Sequence, residues 1–208
     1  MLNRQHRPRS DAAPLDHADP ADDAGLDDAG LLAESVAEPA RFGVVFDRHS
    51  AEIYRFVARR LGTDVAGDLV AEVFLAAFRN RARFDPDLAT VRPWLYGIAV
   101  NVMRGHRRAE QRRLRALSRL PADPAGGGRF EEQVANRVSA QRLAPELARA
   151  LRSLPAGERD LLLLVAWADL SYDEAAHALG IPPGTARSRM ARLRAKLRKS
   201  LGSEGEAR

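Results

Sequence analysis

The sequence predicts an all-α protein made of two small helical domains, and three observations carry that expectation. Apolar residues make up 45% of the 208 residues while aromatics supply only 6%; alanine, leucine and arginine dominate, a mixture that favours helix over sheet. Apolar residues recur at three- and four-residue steps in several windows, the period of a helix with one buried face. One connector, Leu120 to Gly128 (LPADPAGGG), places two prolines and three consecutive glycines between the periodic segments, the composition of a flexible joint between domains.

Taken in order, residues 1–40 hold few large apolar side chains and much Asp, Pro, Gly and Ala, and are expected to be a disordered acidic tail. The first domain is expected over residues 41–119. Phe42, Val45, Phe46, His49, Ile53, Phe56 and Val57 mark an amphipathic helix that Gly62 ends, and Leu69, Val73, Phe74 and Phe78 mark a second. Pro86 and Pro93 bracket a loop from Arg83 to Arg92. A third helix is expected to begin near Pro93, with Trp94, Leu95, Ile98, Ala99 and Val102 on its apolar face and arginines from Arg104 onward. After the linker, residues 120–130, a second domain is expected over 131–201, with a short tail at 202–208. It starts with a helix from about Glu131 to Leu154, followed beyond Pro155 by an apolar helix over Glu158 to Trp167.

The most specific local pattern comes next. Ser171, Tyr172, Asp173 and Glu174 spell a capping box, in which the serine oxygen and the glutamate side chain each satisfy a free backbone N–H of the helix start. The short helix it opens turns Ala175, Ala176 and Leu179 inward and stops at Gly180. The turn Ile181 to Gly184 leads to another helix with an inward stripe of Ala186, Met190, Leu193 and Leu197. This is a helix-turn-helix.

Charge points the same way. The net charge is +5, but residues 1–40 carry three arginines against nine acidic residues, about −6, so the remainder carries about +11 and meets phosphates favourably. Arg187, Arg189, Arg192, Arg194, Lys196, Arg198 and Lys199 crowd the last helix without an acidic residue between them. An ordinary solvated face tolerates such crowding poorly, whereas a recognition helix in the major groove meets phosphates on both flanks. Its N-terminal residues Thr185, Arg187, Ser188, Ala191 and Arg192 are the candidates to read base edges, and Arg194, Lys196 and Arg198 to hold phosphates. A second cluster, Arg104, His106, Arg107, Arg108, Arg112, Arg113, Arg115 and Arg119, broken only by Glu110, lies at the end of the first domain's third helix.

Other function classes lack their signatures. With no cysteine, disulfides and thiolate metal sites are excluded and nothing argues for an oxidising compartment. No apolar run approaches the roughly 18 residues of a membrane helix and the N-terminus lacks a signal peptide's apolar stretch, so a cytoplasmic protein without membrane insertion is expected. The histidines at 6, 17, 49, 106 and 177 are scattered, and Gly126 to Gly128 lack the Lys and Ser/Thr of a phosphate loop; no metal, cofactor or catalytic site is expected. A one-component repressor remains a second reading, with the first domain as sensor or dimerisation unit, but that domain shows no acidic phosphorylation cluster.

With these residues in view, the chain from about Phe42 to Leu201 resembles the extracytoplasmic-function (ECF) sigma factors of bacterial RNA polymerase. Asp68 to Phe74 (DLVAEVF) resembles the family helix that docks on the coiled coil of the polymerase β′ subunit. Trp94 to Asn101 (WLYGIAVN) resembles the helix facing the minus-10 promoter element. Leu154 and Pro155, Leu179 to Ile181, and Gly184 to Arg189 (GTARSR) resemble the domain that reads the minus-35 element. The resemblance implies core RNA polymerase (β′ coiled coil and β subunit), promoter DNA and an anti-sigma factor as partners, with no cofactor and no stable homo-oligomer. It assigns polymerase binding to Asp68, Leu69, Glu72, Phe74 and Phe78; minus-10 DNA to Arg81, Arg83, Asn101, Arg104, Arg107 and Arg108; and minus-35 DNA to Thr185, Arg187, Ser188, Arg189, Ala191, Arg192, Arg194 and Lys196. In the loop Arg81 to Arg92 the family holds a base flipped out of the duplex, at an unstacking cost of a few kcal/mol repaid by pocket contacts. The chain departs from the family pattern at Ala71, where Gln is frequent, and at Gly97, where a basic residue is.

Overall fold

The computed structural model describes residues 27–118, 151 and 153–202. Among these, every regular element is helical: α1 (Asp28–Ala37), α2 (Phe42–Leu61), α3 (Thr63–Asn80), α4 (Val91–Leu117), α5 (Ala156–Trp167), α6 (Tyr172–Leu179) and α7 (Pro183–Gly202), with 3₁₀ turns at Pro39–Arg41 and Arg81–Arg83. The linker and nearly all of the helix expected before Pro155 lie outside the described residues.

Helices α2, α3 and α4 pack on one another around Val45, Ile53, Phe56, Val73, Leu95 and Met103, all buried. Edge-to-face rings join the elements: Phe42 meets Phe78 with centroids 5.3 Å apart, and Phe56 meets Tyr96 at 5.0 Å, geometries that aromatic quadrupoles favour. Helix α2 stops at Gly62 as expected, and α3 follows at once. Helix α4 begins at Val91, two residues ahead of the expected start. Pro93 is tolerated there because first-turn N–H groups have no intrahelical partner in any case.

The acidic tail was expected to be disordered through residue 40, and from residue 28 on that expectation fails. Helix α1 is capped by Asp27, whose Oδ1 accepts from the Gly30 N–H at 2.7 Å, and it buries Leu31 and Leu32 completely. Arg81 ties the far side down by donating to the Ser35 carbonyl at 3.0 Å. At the start of α1, Asp28 meets Arg48 at 2.8 Å and His49 Nε2 at 2.7 Å, and His49 Nδ1 lies 2.8 Å from Glu52. Two leucines and a carboxylate dock a segment whose overall composition reads as solvent-loving.

His49 is therefore held between two carboxylates. Burial works against its charge, but the hydrogen bonds to Glu52 and Asp28 outweigh burial and raise its pKa above 6.5. Burial likewise opposes ionisation of Asp28 and Glu52, and their pairing with Arg48, His49 and Arg92 overrides it, so both titrate below their ordinary values. The His49 contribution to stability is present below about pH 6.5 and is lost as pH rises through its raised folded value. The carboxylate contributions are present above about pH 4.5 and are lost as pH falls. Thermal melts of the protein and of His49→Asn should differ most between about pH 4.5 and 6.5 and converge towards about pH 9; a pH-independent difference would contradict the clamp.

Candidate nucleic-acid interface

The helix-turn-helix forms as its local chemistry dictates. Ser171 Oγ accepts from the Glu174 N–H at 3.2 Å and Glu174 accepts from the Ser171 N–H at 2.8 Å. The backbone hydrogen bond from Ser171, with its side-chain bond second, holds the Glu174 carboxyl below its ordinary pKa. Gly180 ends α6 in the left-handed region at φ +64, where a Cβ would be strained. Ala186, Met190 and Leu193 of α7 face the interior, which leaves Arg187, Ser188, Ala191, Arg192, Arg194 and Lys196 exposed on one basic surface and Thr185 and Arg189 partly covered. Arg187 Nη2 reaches both oxygens of Asp173 at 2.7 and 2.8 Å. That pair is exposed, is worth at most about 1 kcal/mol, and yields readily to a phosphate or a guanine edge.

In the first half, Asp68 and Glu72 are exposed on α3 beside Leu75, itself 47% exposed. Leu69 and Phe74, grouped with them on resemblance, are instead core residues at 4% exposure each. They support this face from beneath and do not present their side chains on it. Phe78 is half-buried under the Arg81 guanidinium, 3.7 Å from its ring centroid. Arg81 also donates to the Ser35 and Phe78 carbonyls and so joins α1 to α3, while its side chain stays partly exposed. Arg83, Asn101 and Arg108 are exposed, whereas Arg104 and Arg107 are partly covered.

What covers them is the second half of the chain. Asp160 of α5 is fully buried, and its carboxylate receives Arg60 of α2 through Oδ1 and Arg104 of α4 through Oδ2, the latter at 2.7 Å. Arg60 is itself 2% exposed, and its Nε and Nη1 find no acceptor among the described residues. Burial, with repulsion from Arg60 and Arg159, pushes the Arg107 guanidinium down to about 10, and the same burial and Arg60 lower Arg159. Four guanidiniums thus gather around one carboxylate. Arg92 bridges further along, donating to Glu52 at 3.0 Å and to the Ala168 carbonyl at 2.6 Å. At Gly97 the helices touch backbone to backbone: a Cβ there would lie 2.7 Å from the Ala178 carbonyl oxygen of α6.

The sequence reading singled out none of Asp160, Arg60, Arg92 or this use of Gly97. A signal existed for two of them. Arg60 continues the stripe Ile53, Phe56, Val57 at helical spacing, and Asp160 stands one turn before Leu164 on the buried side of α5. A charge on an apolar stripe marks a buried partner elsewhere.

A helix-turn-helix with a basic second helix, joined to a helical unit with its own arginine-rich helix, defines a two-domain DNA-binding protein. Residues 45–113 match sigma-70 region 2 and residues 145–197 match sigma-70, region 4. The chain is 33% identical over 178 residues to the ECF RNA polymerase sigma factor SigM of Mycobacterium tuberculosis, spanning 84% of this chain and 85% of that protein. It is 34% identical over 188 residues to the RNA polymerase sigma factor CnrH of Cupriavidus metallidurans, spanning 85% and 95%. The solved structure of CnrH in complex with the cytosolic domain of CnrY superposes with a TM-score of 0.55 at 27% identity, over 85% of this chain and 97% of that one. The sigma factor RpoE of Bartonella quintana, solved with the anti-sigma factor NepR, shares the fold at a TM-score of 0.54 and 23% identity, over 77% and 96%. The chain belongs to the ECF sigma factors, and its function is to direct RNA polymerase to promoters in transcription initiation.

The two local devices of the helix-turn-helix differ in weight. Ser171→Ala should lower stability by about 1 kcal/mol through loss of the cap, while Asp173→Asn, which removes an exposed pair, should change it by less than about 0.5 kcal/mol. Chemical denaturation followed by circular dichroism checks both, and equal effects would contradict this ranking.

Proposed function

We propose that the two halves divide the work of promoter recognition. Asp68 and Glu72, with Leu75 beside them on the surface, meet the β′ coiled coil of core polymerase. Arg83, Asn101, Arg104, Arg107 and Arg108 face the minus-10 element, where the loop from Arg83 to Arg92 receives a flipped base and so helps to open the duplex without ATP. Thr185, Arg187, Ser188, Arg189, Ala191 and Arg192 enter the minus-35 major groove, with Arg194 and Lys196 on flanking phosphates. The observation that carries this division is the presence of two basic surfaces on separate helical units, α4 and α7, each backed by its own apolar stripe. The protein acts without a catalytic site or cofactor of its own. It works in the cytoplasm, where the polymerase it serves is found; among the described residues no helix is long and apolar enough to cross a membrane. The family resemblance adds an anti-sigma factor as the regulator of access to these surfaces.

Run-off transcription from a library of random promoters, with bacterial core polymerase in the presence and absence of the protein, is the direct test. Transcripts that depend on it, from promoters sharing two spaced motifs, are expected. Their absence, with polymerase-independent binding to one operator, would favour a repressor. Within the assay, Arg192→Ala should relax preference at one minus-35 position at a cost of about 1–3 kcal/mol, whereas Lys196→Ala should weaken all promoters alike and reduce the salt slope by about 1. Asp68→Ala combined with Glu72→Ala should lower polymerase affinity and leave binding to free DNA unchanged.

A further inference from the structure

The loop offered to the flipped base leaves α3 through the 3₁₀ turn Arg81–Arg83 and ends where α4 begins, at Val91. Within it, Asp85 Oδ1 accepts from the Asp87 N–H at 3.0 Å, and the Asp85 carbonyl accepts from Leu88 and Ala89 at 3.2 and 3.3 Å. Phe84 packs on Trp94 with ring centroids 5.2 Å apart. These contacts shape the loop and anchor it to α4. Its departure from α3 is held by a different element, α1, which packs against the turn itself. Arg81 Nε donates to the Ser35 carbonyl at 3.0 Å while its Nη1 donates to the Phe78 carbonyl, and the guanidinium lies 3.7 Å from the Phe78 ring centroid. The two carbonyls belong to different helices, so one planar, pre-organised fork ties the last turn of α3 to the last turn of α1.

We propose that α1 is the positioning element of the minus-10 loop: through the strut from Ser35 to Arg81 it fixes the turn from which the loop departs, and so sets the geometry in which an unpaired base is held. The Ser35 end of the strut is itself fixed. Ser35 is fully buried, its Oγ donates to the Leu32 carbonyl at 2.6 Å, and Leu31 and Leu32 are buried completely. At the other end of the helix, Asp28 is pinned by Arg48 and His49. Helix α1 carries Asp28 and Glu34 and neither Lys nor Arg, so it is unsuited to meet phosphates and acts through the turn it holds. A binding constellation works only when kept within about 0.5 Å of its productive geometry, and a loop anchored at α4 alone leaves its α3 end free to shift. Ser35 and Arg81 are thus positioning residues.

The proposal rests on residues 83–92 being the minus-10 loop, and the experiment separates the two ideas. The full chain, assembled with bacterial core polymerase, is bound to a promoter selected from the run-off library and forked so that its minus-10 bases are unpaired. Each of those bases is replaced in turn by an abasic site, and the affinity lost at the most sensitive position reads the pocket directly. The unmodified protein should lose about tenfold or more at one position. Leu32→Ala, which alters no charge, and Arg81→Lys, which keeps the charge but not the fork, should each shrink that loss to less than about threefold. Affinity for polymerase and discrimination at the minus-35 element should stay unchanged, whereas a general loss of structure would move all three together. Should Leu32→Ala fail to fold by circular dichroism, Asp28→Asn, which loosens the same helix at its other end, takes its place. Variants that keep the full abasic penalty would overturn the strut and leave the loop's role intact. An effect of Arg81→Lys without one from the α1 variants would make Arg81 a direct DNA contact and overturn it equally. An unmodified protein with no sensitive position would remove the minus-10 loop and the strut together.

Discussion

Excess positive charge is the constraint on which the rest of this structure depends. Outside its first 40 residues the chain carries about eleven more cations than anions, yet it must fold the helices that bear them into small cores. The solution in α7 is separation by face: Ala186, Met190 and Leu193 go inward while the guanidiniums stay in water, where like charges repel weakly through a high dielectric and are screened within about 10 Å at moderate salt. In α4 separation is incomplete. Arg104 and Arg107 sit where the second half of the chain packs, and a carboxylate has to be brought to them.

Three carboxylates do this work at junctions between helices. Asp28 joins α1 to α2, Glu52 joins α2 to Arg92 of α4, and Asp160 joins α5 to α2 and α4. Through Arg92, which also donates to Ala168 at the end of α5, the first of these junctions connects to the last. Protonation at His49 thus bears on how α1 docks. Polar contacts here specify which surfaces meet, and the apolar cluster supplies most of the favourable energy.

How much of this was legible in the sequence follows from the range of each interaction. Helices α2 to α7 and the capping box rest on contacts three to four residues apart, so periodicity and cap chemistry reveal them. The Ser171 and Glu174 hydrogen bonds occur as read. Helix α1 was missed because its stability comes from Leu31, Leu32 and Asp28 docking on partners some twenty residues away or more, while its own composition resembles a solvated tail. Leu69 and Phe74 stand among contact residues by motif position, and only their burial shows that they support the surface from below. Arg60 and Asp160, a hundred residues apart, leave no trace beyond a charge on an apolar stripe.

The ion pairs at the junction resist loss of one partner far more than they resist separation of the two halves. Removing one partner of a fully buried ion pair typically costs about 3–5 kcal/mol, because the other charge is left uncompensated in a medium of low dielectric. Parting the two halves is a different process, since it returns Arg60, Arg104 and Asp160 to water together and no charge stays behind unsolvated. The unsatisfied donors of Arg60, each carrying a desolvation penalty of about 1–3 kcal/mol while buried, gain solvent at the same time, and Arg107 is relieved of its crowding. Separation therefore forfeits mainly the apolar contact between the halves, whose buried residues form one cluster and whose helices α4 and α6 meet backbone to backbone at Gly97 and Ala178. Apolar packing, and not the ion pairs, is therefore what holds the two halves together.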